Sequence, residues 1–297
     1  RYPLVTGVQT CALPIFSHPH ENVFGDQRFL SFFVGVCMAF FMGLSDDAFN
    51  TKPLIKLFTQ ILCGVCLIWG EVVLPLSANY WINAVVTIIW VVGLMNSLNM
   101  LDNMDGITAS IAINTFVFVI IFALVFNHSA LNVYLFVMIG LLGSLAGFLL
   151  VNYPPSRLFM GDSGSQVLGF SIAYFTIFQG WMSPLEIPIW LKVFVLLLML
   201  AIPFIDTFTV TFNRISRGKS PAKGGKDHTT HHMVYRGFNE KSTFFIFWGL
   251  SALLGCLGLL MIYLFNLGFG NYVLLLMIPF YLVFYFLFKN THVYKAP

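Results

Sequence analysis

Charge is what this sequence has least of. Asp, Glu, Lys and Arg supply 9% of its 297 residues, while 58% are apolar; soluble domains carry about 25% charge. A soluble globular protein is thereby excluded, and no nucleic-acid partner is expected. The alternating polarity of an outer-membrane barrel is also missing. The apolar runs are long and continuous, so membrane crossing falls to helices. Cysteine is sparse, five residues scattered through apolar runs, which excludes a disulfide framework. Cys63-Gly-Val-Cys66 has the spacing of a redox pair, but inside an apolar run it reads as two small packing residues. A recognisable start is missing too. "RYPLVTGVQTCALPI" contains no initiator Met and no signal-peptide pattern, and it resembles translated sequencing-adapter read-through. Residues 1–16 are expected to be a non-native leader ahead of one multi-helix transmembrane domain over 17–297, shortened at its amino end.

What the sequence does have is apolar runs. Nine of them can cross a hydrocarbon core of about 30 Å: 29–44, 54–76, 80–98, 107–126, 131–152, 164–180, 188–213, 243–266 and 270–288. Their connections alternate in character. "SANY", "NHSA", "GWMSPLE" and "NLGFGN" are short and poor in basic residues. The others hold Lys52 and Lys56, Arg157, the loop 214–241, and Lys289 with Lys295. Lys and Arg mark cytoplasmic loops, so the second set is assigned to the cytoplasm, with only Arg28 and Lys192 near the other face. The expected fold is an all-α polytopic membrane protein of about nine transmembrane helices, roughly ten or eleven in the intact protein. On this map "GLSDDAFNTKP", "NSLNMLDNMDG", "NYPPSRLFMGDSGS" and "RISRGKSPAKGGKDHTTHH" all fall at cytoplasmic ends. They bring eight of the twelve acids to one face: Asp46, Asp47, Asp102, Asp105, Asp162, Asp206, Asp227 and Glu240.

Carboxylates clustered at a membrane boundary repel one another unless a divalent cation or a proton relay intervenes. Oxygen ligands favour Mg²⁺ or Mn²⁺ over zinc. Mg²⁺ takes one or two carboxylates and leaves its other positions to water and phosphate, so the remaining acids are assigned to substrate. The loop supplies the complement: Arg214, Arg217, Lys219, Lys223 and Lys226, with Gly218, Gly224 and Gly225 among them. Cations beside glycine backbone suit phosphate, although a loop that merely sets topology and touches anionic lipid has the same composition. That blander reading leaves His228, His231 and His232 unexplained. Their spacing permits a metal, yet no Cys or Glu completes a zinc site. In "FMGDSGS", Asp162 precedes a helix whose N-terminus, with Ser163 and Ser165, favours an anion; a plain helix-capping turn would look alike.

In order and spacing, from about Gly43 to Asn239, the four clusters resemble the polyprenyl-phosphate N-acetylhexosamine-1-phosphate transferases, a membrane family that includes the phospho-MurNAc-pentapeptide transferase. "GLSDD" with "PLIKLFTQ" is similar to that family's Asp-Asp motif and downstream lysine, here Lys56. "NSLNMLDNMDG" is similar to N-x-x-N-x-x-D-G-x-D-G, with Asn103 where the motif has Gly. "NYPPSRLFMGDSGSQVLG" and "DHTTHHMVYRGF" are similar to the third motif and the His-rich loop. The resemblance implies Asp162 as principal Mg²⁺ ligand, with Asp46 and Asp47 beside the metal and the lipid phosphate, these three forming the catalytic group. It implies substrate binding by Lys56, Asn96, Asn99, Asp102, Asp105, Asn152 and Arg214, and contact with phosphate or sugar by His228, His231 and His232. Asn103 is expected to keep the motif's turn, because Asn tolerates a left-handed backbone.

The implied activity is transfer of N-acetylhexosamine-1-phosphate from a UDP-sugar to a polyprenyl phosphate, on the cytoplasmic face of the bacterial inner membrane, with UMP released. His-Thr-Thr-His-His, in place of the consecutive histidine triplet of the pentapeptide branch, tilts the donor toward a UDP-N-acetylhexosamine. If a general base operates, Asp46 is the choice. The expected partners are the UDP-sugar, the polyprenyl phosphate and membrane lipid, and a membrane face rich in Phe is compatible with a homodimer. Two other classes compete: a secondary transporter, whose acids should lie near the midplane where only Asp206 does, and a non-catalytic homologue.

Overall fold

The structure, a computed structural model, describes residues 23–126, 132–183, 185–220 and 225–294. The expected leader at 1–16, Lys223, Gly224 and Lys295 lie outside them. Every regular element among the described residues is helical. In chain order these are α1 (Gln27–Phe49), α2 (Pro53–Trp69), α3 (Tyr80–Leu101), α4 (Ile107–Val125), α5 (Val133–Asn152), α6 (Gly161–Phe175), α7 (Ile189–Met199), α8 (Ala201–Ser216), α9 (Thr229–Tyr235), α10 (Glu240–Leu264) and α11 (Ile278–Val293). A π-helical turn, Thr176–Trp181, extends α6. Between α10 and α11 the chain turns through Gly268 and Gly270, both at positive φ.

The helices are inside-out relative to a soluble bundle. On α2 the residues Leu54, Ile55, Phe58, Leu62, Val65 and Trp69 recur at helical spacing and are exposed, while Gln60, Cys63, Gly64 and Leu67 face inward. An apolar outer stripe over a smaller, more polar inner one is the pattern of a helix solvated by lipid. Cys63 and Cys66 are small packing residues as expected: Cys63 is buried against α1 and both thiols are free.

Lipid gives no hydrophobic drive for helix association, so close backbone approach at small residues takes its place. Helix α6 is the hub, packed between α1 and α3. A Cβ on Gly43 of α1 would lie 2.4 Å from the Ser163 Cα, and one on Gly169 of α6 would lie 2.5 Å from the Met95 Cα of α3. The first contact sets the N-terminus of α6 directly against the end of α1 that carries Asp46 and Asp47. Phe32, Phe170, Tyr174 and Phe175 pack ring against ring farther along.

Length and composition pass five stretches as membrane-crossing: α1, α3, α4, α5 and the 54-residue run Glu240–Val293. A sixth is added if α7 and α8, bent by 81°, form one span. The protein is thus a helical membrane protein with five or six apolar candidate spans among the described residues, fewer than the nine runs suggest. Three of those runs are reshaped. Helices α2 and α6 extend only about 25 and 22 Å at 1.5 Å per residue. The run 188–213 breaks at Leu200, because Pro203 has no N–H to offer the Met199 carbonyl.

Candidate active site

The ends of α1 and α3 meet the starts of α2 and α6, and polar sequence clusters are what they carry. Asp47, in the last turn of α1, caps α6: its Oδ1 accepts from the Asp162 backbone N–H at 2.8 Å and its Oδ2 from that of Ser163 at 3.1 Å. Gly161 makes this possible. It sits at φ +68°, and a Cβ there would lie 2.9 Å from the Asp47 carboxylate. Lys56 of α2 enters between two other acids, pairing with Asp46 Oδ2 and with Asp162 Oδ2, the latter at 2.6 Å. Asp46 is further held by the Thr51 N–H and hydroxyl, which donate to Oδ1 at 2.8 and 2.6 Å. Asn99 of α3 donates to Asp162 Oδ1 at 2.9 Å and to Ser165 Oγ at 3.0 Å. Three helices thereby fix Asp162, with one cation between its carboxylate and that of Asp46.

One turn deeper lies a layer of amides. Asn96 donates to Gln60 at 2.7 Å, and Gln60 donates back to Asn96 at 3.3 Å and on to Gln166 at 3.1 Å. Each sits one helical turn from a member of the upper group: Gln60 from Lys56, Asn96 from Asn99, Gln166 from Asp162. Asn96 therefore supports the site from beneath. Gln60 and Gln166 are not among the residues expected from sequence, although polar residues at i+4 from a charged one stand in "KLFTQ" and "DSGSQ".

The second motif divides. Asp105 Oδ2 accepts from the Ser156 N–H at 2.8 Å, and Asn152 bridges the Gly106 N–H at 3.0 Å and the Leu158 carbonyl at 2.8 Å. Both strap the loop before α6 to the turn between α3 and α4. Asn103 departs from expectation. Its backbone is not among the left-handed residues, where Gly106 stands instead. Its side chain donates to the Met100 carbonyl at 2.9 Å and accepts from the Thr230 hydroxyl at 2.5 Å, tying this turn to α9. Asp102 caps the end of α3. Burial, with repulsion from Asp162, Asp105 and Asp47, pushes its carboxyl up to about 7.

An acid whose folded pKa is raised binds its proton more tightly when native, so it destabilises the fold progressively as pH climbs from its unfolded value of 3.8 toward 7. Asp102→Asn is accordingly expected to raise the apparent Tm by about 3–6 °C at pH 8, with a smaller gain at pH 5. A thermal scan at the two pH values checks this; equal shifts would contradict it.

The His loop is anchored at both ends. Arg214 at the end of α8 grips Asp227 with two bonds, Nε to Oδ2 at 2.9 Å and an Nη to Oδ1 at 2.6 Å. Burial would raise the Asp227 carboxyl, but the guanidinium outweighs it and holds it below the usual range. Arg214, expected to bind substrate, thus has a structural partner. His228 is buried and its Nδ1 meets Asp206 Oδ2 at 2.8 Å. His231 is held neutral, down to about 4, by burial and by His228; its Nδ1 is buried without a hydrogen-bond partner. His232 bonds the Tyr294 carbonyl at the end of α11. The three histidines occupy three different settings. Among the described residues no group of three His, Cys, Asp or Glu is close enough to hold a metal unaided.

Asp46 and Asp162 nonetheless fit a hard cation. Their carboxylates converge where Lys56 already places one positive charge, and one or two carboxylates suffice for Mg²⁺ when phosphate and water complete its shell.

The sequence model described as glycosyl transferase family 4 matches residues 29–180, from α1 through the π-helical turn after α6. A probable undecaprenyl-phosphate N-acetylglucosaminyl 1-phosphate transferase of Bacillus subtilis is 22% identical over 74% of this chain and 62% of its own length. A phospho-N-acetylmuramoyl-pentapeptide-transferase of Staphylococcus carnosus is 29% identical over 81% of this chain and 67% of its own. An undecaprenyl-phosphate alpha-N-acetylglucosaminyl 1-phosphate transferase of Yersinia pestis is 24% identical over 83% and 75%. With just over half of its residues matched by the family model, this chain belongs to glycosyl transferase family 4.

Proposed function

We propose that the protein transfers N-acetylhexosamine-1-phosphate from a UDP-sugar to a polyprenyl phosphate in the bacterial inner membrane, releasing UMP. The observation that carries this reading is the Asp46–Lys56–Asp162 cluster with Asn99, set at the end of the bundle where the His helix α9 is tied to the second motif. Two relatives named for N-acetylglucosaminyl 1-phosphate transfer support it. The relative named for pentapeptide transfer supports a second donor, UDP-MurNAc-pentapeptide; the His-Thr-Thr-His-His order favours the smaller sugar.

Support for nine crossings comes from alternation. Lys56 at the start of α2 meets Asp46 at the end of α1, Asn99 at the end of α3 meets Asp162 at the start of α6, and the ends of α8 and α11 join through Asn213 and Thr291. Each successive segment traverses the bundle, with the short helices α2 and α6 crossing a thinner path. Lys and Arg concentrate at the site end, which supports a cytoplasmic placement.

Both reactants are anionic, so the task is to neutralise charge and align attack. An oxygen of the acceptor phosphate forms a bond to the β-phosphorus, and the bond from that phosphorus to the α-phosphate oxygen breaks, the electron pair leaving with UMP. A phosphomonoester is mostly dianionic at neutral pH, its second pKa being about 6, so no strong base is required. Asp46, engaged by Lys56 and Thr51 on both oxygens, orients Lys56. Asp47 caps α6 and so aims Asp162. Asp162, with Asp46, would hold Mg²⁺, which supplies electrostatic stabilisation to the transferring phosphoryl group. Membranes containing the protein, given polyprenyl phosphate and a panel of UDP-sugars, should release UMP and form lipid-linked sugar, and EDTA should stop both. No product with any sugar would end this reading.

A further inference from the structure

The deepest charged group at this end of the bundle is Asp206, on α8, fully buried in an otherwise apolar stretch. An ionisable residue at such depth is expensive and points to a function with a named partner. Both of its oxygens are engaged by the start of α9. Oδ1 accepts from the Thr229 N–H at 2.8 Å and from the Thr229 hydroxyl at 2.6 Å, and Oδ2 faces His228 Nδ1 at 2.8 Å. The opposite side of the same turn is fixed by the Thr230 hydroxyl on Asn103. His228 is itself buried, and its ring lies 5.9 Å from that of His231.

We propose that Asp206 is a positioning residue: its carboxylate fixes His228 with Nδ1 protonated and leaves Nε2 as the one ring nitrogen free to meet the substrate's phosphate groups. The chemistry follows from the donor inventory. A carboxylate whose Oδ1 accepts from Thr229 and whose Oδ2 faces a ring nitrogen requires hydrogen on that nitrogen. A histidine with one nitrogen tied to a carboxylate has its tautomer and ring plane set together. A neutral His228 then offers Nε2 as an acceptor, and a protonated one offers an N–H donor suited to a phosphate oxygen. His231 lacks a partner on Nδ1, and the Nδ1 of His232 is tied to the Tyr294 carbonyl. Of the three, His228 alone is held by a carboxylate. The substrate side of this inference rests on the transferase reading; the Asp206–His228 bond does not.

The test has two arms. In the first, ¹⁵N-histidine-labelled full-length protein in lipid nanodiscs is observed by NMR, with His228→Gln identifying the His228 signals. Protonated Nδ1 bonded to a carboxylate is expected at neutral pH; an Nε2–H tautomer with bare Nδ1 overturns the proposal, whether or not the protein shows activity. In the second, UMP release is measured for Asp206→Asn, His228→Gln and the double variant, each checked for monodispersity. The amide can donate to Nδ1 and reverse the tautomer, so Asp206→Asn is expected to lower kcat about 30–100-fold with KM for the lipid acceptor unchanged, a loss of about 2–3 kcal/mol. In the His228→Gln background the same change should cost less than about threefold, because the residue it acts through is gone. Fully additive losses mean that Asp206 only braces α9, and they overturn the proposal. If wild-type protein releases no UMP, the transferase reading fails while the NMR arm still decides the Asp206–His228 pairing.

Discussion

Asp162→Asn is expected to lower UMP release by at least about 10³-fold, equivalent to roughly 4 kcal/mol of transition-state stabilisation, while leaving expression and monodispersity intact. The change keeps the shape that Asn99 recognises, so Oδ1 still accepts from it. What it removes is the negative charge that Lys56 pairs with and that a hard cation requires. Asp46→Asn should cost clearly less, about 10–50-fold. Asp46 has a side-chain exposure of 9% against 27% for Asp162, and its Oδ1 is taken up by Thr51, so it has only Oδ2, shared with Lys56, to offer a cation. Steady-state assays of the two variants side by side check the division; equal losses would contradict it.

The second large effect is at Lys56. Lys56→Met leaves two carboxylates facing one another without the cation that lies between them, and a half-broken ion-pair cluster is costlier than none. Activity should fall about 10²–10³-fold, the range for loss of one electrostatic contact to a developing charge. The Asp46→Asn/Lys56→Met double variant should lose less than the product of the single losses, because the two residues form one unit. Lys56→Arg should restore part of the activity, since charge survives but the compact ammonium does not. A double-mutant cycle measures this; strict additivity would show that the pair does not act together.

The sequence made the scaffold legible because lipid-facing helices are read from uninterrupted apolar length. It also placed Asp46, Asp47, Lys56, Asn99 and Asp162 at one end, by span counting and motif order. Tertiary substitution limited the rest. Asn103 looked like a substitute for glycine in a turn and turned out to be a side-chain link to Thr230, 127 residues on. Asp105, Asn152 and Arg214 carry the residue types of a binding site, yet each satisfies a specific partner in the fold. Nothing local to "NYPPSR" or "NRISRG" distinguishes a strut from a ligand-binding group. The break between α7 and α8 had a local signal, Pro203, whose effect depends on where in the span it falls. Asp206 had one as well: a lone carboxylate in an apolar run, whose partner His228 lies beyond the basic loop.

The central claim is that the phosphoryl group travels with the sugar. UDP-N-acetylglucosamine labelled with ³²P at the β-position, incubated with the protein in nanodiscs and a polyprenyl phosphate, follows that atom directly. Transfer of the sugar phosphate predicts label in the lipid fraction and unlabelled UMP in the aqueous phase. Label recovered in free UDP, with an unlabelled glycolipid, would show transfer of the sugar alone and contradict the account.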